Sequence, residues 1–276
     1  LACPPAGAVA AKYLAISARQ LSKRFDHFTA LDCLDLEVRR GRIFGLLGPN
    51  GAGKSTAIKI LTTLLDASSG QATVGGFDVA TQSVEVRRQI GYVPQLLSAD
   101  GALTAIENLD LSARLHGLYG ARRKARVEQA LAFAGLQDGA RQLVRTFSGG
   151  MVRRLEIAQA TLHEPEVLFL DEPTIGLDPA ARRTVWERLL QLRESQGMTI
   201  LLCTHDMEEA ETLCDELAIL HQGKLAVVGT PQALKEQVGP QADLADVFVH
   251  FSGAVIEQGG QARDVRASRA AAWSRG

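Results

Sequence analysis

The run Gly48-Pro49-Asn50-Gly51-Ala52-Gly53-Lys54-Ser55 has the residue types that wrap a phosphate group in backbone. Gly48, Gly51 and Gly53 allow consecutive N–H groups to turn inward. Lys54 supplies a point charge to the β- and γ-phosphates, and Ser55 a hydroxyl ligand for Mg²⁺. We take the whole stretch from Gly48 to Thr56, Asn50 included, as nucleotide-binding. A second chemical cluster lies far downstream, where the apolar run Val167-Leu168-Phe169-Leu170 ends in Asp171 and Glu172. Two acids after a strand would by themselves read as a polar turn. With a phosphate loop in the same chain, Asp171 is expected to hold Mg²⁺, mostly through water, and Glu172 to orient and polarise an attacking water. His205, at the end of the 199–204 run, is expected to touch the γ-phosphate. Gln95 leaves the strand-like Ile90-Gly91-Tyr92-Val93, and its amide could ligate Mg²⁺ or the water.

A further anion-binding signal is Ser148-Gly149-Gly150, where a serine able to cap precedes an amphipathic run. Met151, Leu155, Ala158 and Leu162 recur at helical spacing, which leaves Arg153, Arg154 and Glu156 on the opposite face. Free N–H groups and the helix dipole should draw a phosphate to that helix start. The clusters Arg122-Arg123-Lys124, Arg153-Arg154 and Arg182-Arg183 are expected to be solvated helix faces rather than binding patches.

The elements that must position these groups alternate. Strands are expected over 42–47, 90–93, 167–170 and 199–203. A helix is expected over 54–65 and another over 182–196. A hairpin is expected to turn at Gln222-Gly223-Lys224 between 217–220 and 225–228. Strands with interleaved helices predict an α/β fold with a mainly parallel sheet covered on both faces. Residues 104–162 read as nearly all helical, opening on the capping box Thr104-Ala105-Ile106-Glu107, and look like an insertion into that core. Periodicity weakens after Gly239 and is lost from Ala254 onward, where a flexible tail is expected.

Bulk properties narrow the function classes. Lys+Arg number 30 against 31 Asp+Glu, so no overall field favours nucleic acid or an acidic membrane surface. The four cysteines, Cys3, Cys33, Cys203 and Cys214, show no metal-binding spacing and are expected to be free thiols. No apolar run approaches the roughly 20 residues that span a bilayer. Residues 1–11 lack the charged start of a secretory leader, so no such signal is expected.

Taken together, Gly48–Thr56, Gln95, Ser148-Gly149-Gly150, Leu168–Glu172, Gly176-Leu177-Asp178 and His205 resemble the ATP-binding subunit of an ABC transporter. The order and spacing match over about residues 16–238. Within the family the chain is most similar to the daunorubicin-type drug exporter ATPases that serve separate ABC-2-type permeases. The phrases Ile43-Phe44-Gly45-Leu46-Leu47-Gly48 and Thr204-His205-Asp206-Met207-Glu208-Glu209-Ala210 support this. The resemblance implies a P-loop NTPase (RecA-like) core, an N-terminal antiparallel β subdomain, an inserted α-helical subdomain at about 96–162, and a short C-terminal extension over 239–276. It implies ATP and Mg²⁺ as ligands, with Phe25 stacking on adenine where tyrosine is usual. Lys54, Ser55, Gln95 and Asp171 would bind phosphate and metal, Glu172 would drive hydrolysis and His205 would hold the γ-phosphate.

The implied partners are a second copy of the chain and an ABC-2-type permease, without nucleic acid. Ser148, Gly149 and Gly150 would grip a phosphate bound to the other copy, and Asp178 would sit at that interface. The helical block would dock on the permease at the cytoplasmic face of the cell membrane. The resemblance favours outward transport of a drug, antibiotic or other hydrophobic compound. The sequence departs from the family pattern at Phe147 and Met151 in the signature and at Ile175 before Gly176, none of which removes the Ser148 hydroxyl or the glycine backbone. The segment 244–253 resembles the subfamily's closing segment, but the small extra domain usual before it is missing. Two other readings are a soluble ABC-type ATPase acting on ribosomes or DNA, and a nucleotide-binding module without hydrolysis. The single cassette without sustained heptads disfavours the first, and the presence of Glu172 and His205 the second.

Overall fold

The structure, a computed structural model, describes residues 13–253. The expectations placed on Cys3, on residues 1–11 and on the tail from Ala254 lie outside the described residues. The chain opens with β1 (Leu14–Phe25) and β2 (Phe28–Arg39), which pair antiparallel across the turn at Asp26-His27. Then β3 (Ile43–Leu47), buried at every residue, runs into the glycine loop and α1 (Lys54–Leu61). The helix stops short of the expected residue 65. Thr62 Oγ1 bonds back to the Ile58 carbonyl at 2.8 Å, the Leu64 and Leu65 amides turn to the Lys59 carbonyl, and Thr63 adopts φ 62°. Next, β4 (Ser69–Val74) pairs with β1, and β5 (Phe77–Asp78) completes a four-stranded antiparallel sheet in the order β2-β1-β4-β5.

After α2 (Ser83–Gln89) comes β6 (Ile90–Val93), and then the helical block of α3 (Ala105–Leu115), α4 (Gly120–Ala134) and α5 (Gly149–Thr161). The capping box forms as expected: Thr104 accepts from the Glu107 amide, and Glu107 accepts from the Thr104 amide. These helices share a core of their own around Leu109, Leu131, Leu155 and Leu162. The chain returns to the sheet through β7 (Val167–Asp171), α6 (Pro179–Gln196), β8 (Thr199–Thr204), α7 (Met207–Leu213), β9 (Glu216–His221) and β10 (Lys224–Gly229). It continues with α8 (Pro231–Val238) and α9 (Leu244–Ser252). Helix α6 begins earlier than residue 182, because Asp178 accepts from the Ala180 and Ala181 amides and Pro179 fits the first helical position. The β9–β10 hairpin turns at Gln222 and Gly223, both at positive φ (48° and 77°), the geometry that matches strand twist.

Six strands form the second sheet in the order β10-β9-β3-β8-β7-β6, parallel throughout except for β10. One face buries Phe44, Phe169 and Leu201 against α1 and the antiparallel sheet. The other buries Leu168, Ile200 and Leu202 against α6, α7 and α9. Because both faces are covered, the central strands are continuous apolar runs rather than alternating ones. Register then fixes the chemistry. Leu47 stands opposite Thr204, Asp171 opposite Cys203, and Val93 opposite Leu170. The glycine loop, His205, Asp171-Glu172 and Gln95 therefore all leave neighbouring strands at one carboxyl edge, where open α/β sheets bind ligands.

Candidate active site

The loop from Gly48 to Thr56 curls over the start of α1 with Gly51 at φ 80° and Gly53 at φ 107°, backbone conformations that side chains rarely allow. A side chain at Gly48 would collide with the Leu220 carbonyl, and one at Gly53 with the Ala30 carbonyl. The cleft over this loop is lined by Pro49 to Thr56 together with Phe28, Ala30, Gln95 and Glu172. Lys54 is buried, and its Nζ donates to the carbonyls of Gly48 (2.6 Å) and Pro49 (3.3 Å) while standing 3.3 Å from Glu172 Oε1. Glu172 Oε2 lies 2.8 Å from His205 Nδ1. The structure thus joins Lys54, Glu172 and His205 into one chain of contacts. Glu172 itself stands at φ 51°, with its amide donating to the Cys203 carbonyl at 2.9 Å. A glutamate in that region is strained, and such strain persists only where surrounding structure imposes it.

Asp171 is buried, and its Oδ1 has no hydrogen-bond partner. Burial raises its carboxyl above the ordinary value, a shift opposed by a hydrogen bond from Ser55 and by the charge of Lys54. A buried carboxylate oxygen left unsatisfied, beside a serine hydroxyl, suits a hard cation. Mg²⁺ keeps several waters and needs only one or two carboxylates, so these oxygen donors fit it. Among the described residues no group of three or more His, Cys, Asp and Glu side chains is placed to hold a metal ion.

Two aromatics share the turn beside the cleft. Phe28, 60% exposed, is among the residues that line the cleft, and Phe25, paired with Phe28 across the β1–β2 turn, is 42% exposed and carries Lys23 Nζ 5.1 Å above its ring. Phe28 was legible only as a second aromatic on the same turn. Ser148 caps α5 by accepting from the Met151 amide at 3.3 Å, and Ser148 and Gly149 are exposed. None of Ser148, Gly149, Gly150 and Asp178 lines the cleft of their own chain. They gather instead on one surface. A side chain at Gly149 would lie 3.3 Å from Leu177, and one at Gly150 would overlap Ala181. Asp178 is exposed beside them.

One expectation fails. Arg153 and Glu156 are not a solvated face but are buried at 2% exposure each, paired at 3.0 Å, and Arg154 is half-buried, donating to the Ala134 carbonyl at 2.6 Å. The helical stripe is wider than the four apolar positions suggest, because the loop following Gln95 lies across this side of α5. Arg182, too, is only partly exposed and pairs with Asp206 at 2.9 Å. The cysteines Cys203 and Cys214 are buried free thiols whose pKa values burial pushes up, and Cys33 is free and exposed.

This geometry, a glycine loop and two acids at the carboxyl edge of a parallel sheet with a helical block between β6 and β7, defines a P-loop nucleotide hydrolase. The family model described as ABC transporter matches residues 31–175. The Daunorubicin resistance ATP-binding protein DrrA3 of Streptomyces coeruleorubidus is 43% identical over 239 residues, covering 87% of this chain and 75% of that protein. The Linearmycin resistance ATP-binding protein LnrL of Bacillus subtilis is 39% identical over 224 residues, covering 81% and 72%. Among solved structures, an ATP-binding subunit of an ABC transporter superposes with TM-score 0.77 at 33% identity, covering 86% of this chain and 99% of that one. A dimeric ATP-binding cassette in a post-hydrolysis state, bound to ADP and Pi, gives TM-score 0.70 at 25% identity, covering 78% and 98%. The chain belongs to the ABC transporter family and carries its ATP-binding, ATP-hydrolysing domain. No described helix is long and apolar enough to cross a membrane.

Proposed function

We propose that two copies of this chain close head to tail around two ATP molecules and drive a separate ABC-2-type permease from the cytoplasmic face of the cell membrane. The observation that carries this reading is the divided phosphate machinery. The loop at 48–56 and the helix start at 148–150 both suit phosphate, yet the second, exposed at Ser148 and Gly149, lies outside the first one's cleft. In a head-to-tail pair, Ser148 and the Gly149 and Gly150 amides of one protomer meet the γ-phosphate held by Gly48, Asn50, Gly51, Gly53, Lys54 and Thr56 of the other, with Asp178 at the seam. Ser55, Gln95 and Asp171 are the residues that would hold Mg²⁺, which when bound neutralises charge on the β- and γ-phosphates.

Glu172 orients and polarises the water, and His205, hydrogen-bonded to it, steadies the carboxylate and reaches the γ-phosphate. The aromatic turn carrying Phe25 and Phe28 supplies a face for adenine, which needs only a π-surface. Relatives named for resistance to daunorubicin and linearmycin support export of a drug, antibiotic or other hydrophobic compound. The exposed apolar side chains Leu96, Leu97, Leu111 and Leu115, in and beside the helical block, support permease docking there.

The test is Glu172→Gln, which keeps the shape of the site and removes its base. With Mg²⁺ and ATP this variant should lose nearly all hydrolysis, a loss of roughly 10²-fold or more, and sediment as a stable dimer. A protein that stays monomeric with ATP bound would overturn the shared-site mechanism.

A further inference from the structure

The buried ion pair on α5 grips the loop that carries Gln95. Arg153 Nη1 donates to the Pro94 carbonyl at 2.8 Å, and Arg153 Nη2 to the Gln95 carbonyl at 2.9 Å. Glu156 Oε1 accepts from the Ser98 amide, from Ser98 Oγ at 3.1 Å and from the Ala99 amide at 3.2 Å. Asn108 on α3 extends the hold by accepting from the Asp100 amide at 2.9 Å and donating to the Asp100 carbonyl at 3.0 Å. Two side chains less than a turn apart thus fix both ends of the segment 94–99. Between the grips, Leu96 and Leu97 stand 82% and 55% exposed.

A pair this buried is weak evidence for stability, because desolvating two charges offsets most of their attraction and well-packed apolar residues often do as well. What the charges do here that apolar residues cannot is bind four backbone groups of a loop that has no regular secondary structure. The same helix carries Ser148 as its N-cap, one turn ahead of Arg153. Helix α5 therefore connects the exposed anion-binding corner to the backbone of Gln95 through a rigid element and charge-assisted hydrogen bonds.

We propose that Arg153 and Glu156 are positioning residues for hydrolysis, which lock the segment 94–99 to α5 so that Ser148 and Gln95 move as one body. The proposal rests on the reading above, in which Gln95 faces the nucleotide of its own protomer and Ser148 that of the partner. Contact of Ser148 with the partner's nucleotide then sets the position of Gln95 in its own cleft, and the exposed Leu96-Leu97 tip follows the same motion. Neither Arg153 nor Glu156 lines the cleft, so neither should contribute directly to nucleotide affinity.

The variants Arg153→Met, Glu156→Gln and the double Arg153→Met/Glu156→Met test this. The double variant leaves no unpaired buried charge and keeps the test available where a single variant fails to fold. Amide hydrogen exchange by mass spectrometry should show Ser98 and Ala99 exchanging about tenfold faster in the double variant, where their acceptor is gone, and less so in either single variant, each of which keeps an acceptor oxygen at position 156. The affinity for a fluorescent ATP analogue should stay within about threefold of wild type, while kcat falls about tenfold with KM nearly constant, because only the positioning of Gln95 is lost. In kcat the double variant should be no worse than the worse single one, since the two residues act as a unit. Unchanged exchange in the 96–99 segment, or an unchanged kcat despite faster exchange, would overturn the proposal. So would a loss of nucleotide affinity in step with kcat. A wild-type chain that hydrolysed no ATP would instead sink the reading of the site, an outcome the exchange measurement separates from failure of the grip.

Discussion

Asp171 sits in its site at a cost to the nucleotide-free fold. Burial raises its carboxyl above the ordinary value, so the folded chain holds a proton there that the unfolded chain releases. Stability therefore falls as pH rises through the interval from the ordinary carboxylate value up to the raised one, and recovers as pH drops back through it. Asp171→Asn removes the charge while keeping the shape. At pH 7 and without nucleotide, the variant should melt higher than wild type, on the scale of about 2–4 °C per kcal/mol for a chain of this size. It should also lose the thermal shift that Mg²⁺ and ATP together give, as stability and function trade against each other at such sites. Differential scanning fluorimetry decides it: an Asn variant less stable than wild type at pH 7 would contradict the argument. At this scale the sequence was informative wherever the chemistry is contiguous, as in Gly48–Thr56 and Asp171-Glu172. It was silent on Phe28 and misleading on Arg153 and Glu156, whose roles depend on which distant segment covers them, and helical spacing carries no record of that.

Two histidines tie the helical block to the parallel sheet. His116 ends α3 and His163 follows α5, their rings stacked with centroids 3.7 Å apart and planes 4° from parallel. His163 Nε2 is 3.0 Å from the carbonyl of Ile90, at the start of β6. Burial lowers both imidazole pKa values, and His163, also disfavoured as a cation by His116, is pushed down to about 4. His163 therefore stays neutral in the fold where the unfolded chain, from about pH 6.5 downward, takes a proton, and burial shifts His116 in the same direction. The stability contributed by this contact is fully present above that pH and is lost as pH falls towards 4.

Replacing His163 with Gln keeps a donor for the Ile90 carbonyl and removes the titration. Urea unfolding at pH 7, 6 and 5 should show wild type losing up to about 1.4 kcal/mol per pH unit more than the variant. Parallel pH curves for the two proteins would refute the contact's role. Elements as a class were legible in proportion to their regularity. The capped helices α3 and α5 and the largely apolar strands β3, β7 and β8 follow from spacing alone. Strands β1 and β2 do not, because register shifts and the positive φ values of Gln20 (51°) and Cys33 (52°) break the alternation that marks a strand. The resemblance to a family, rather than any periodicity, predicted that sheet. The apolar pattern of helix α1 continues to Leu65, past the point where the Thr62 hydroxyl closes the last turn, so spacing alone overstates its length.

At the scale of the whole molecule, the proposed phosphate donors at Ser148 and Gly149 lie exposed beside Asp178, with Gly150 buried behind them, outside the cleft of their own chain. A head-to-tail pair closes such a surface by two-fold symmetry, each protomer lending its helix start to the other's cleft. The arrangement makes a sharp prediction about mixtures. Lys54→Ala destroys the cleft of the protomer that carries it but leaves Ser148 intact, while Ser148→Arg destroys the donated corner but leaves Lys54 intact. Each variant alone should therefore hydrolyse almost no ATP, since every site in its homodimer is defective. In a mixed dimer the two lesions fall together at one site, and the other site is whole. With random pairing half of the dimers are mixed and each has one good site, so an equimolar mixture should regain about a quarter of wild-type activity. The regained activity should vanish when the two variants are assayed separately at the same total concentration. If Ser148 instead served the cleft of its own chain, both sites of the mixed dimer would remain defective. The mixture would then be no more active than the sum of its parts, and that result would end the case for a shared site.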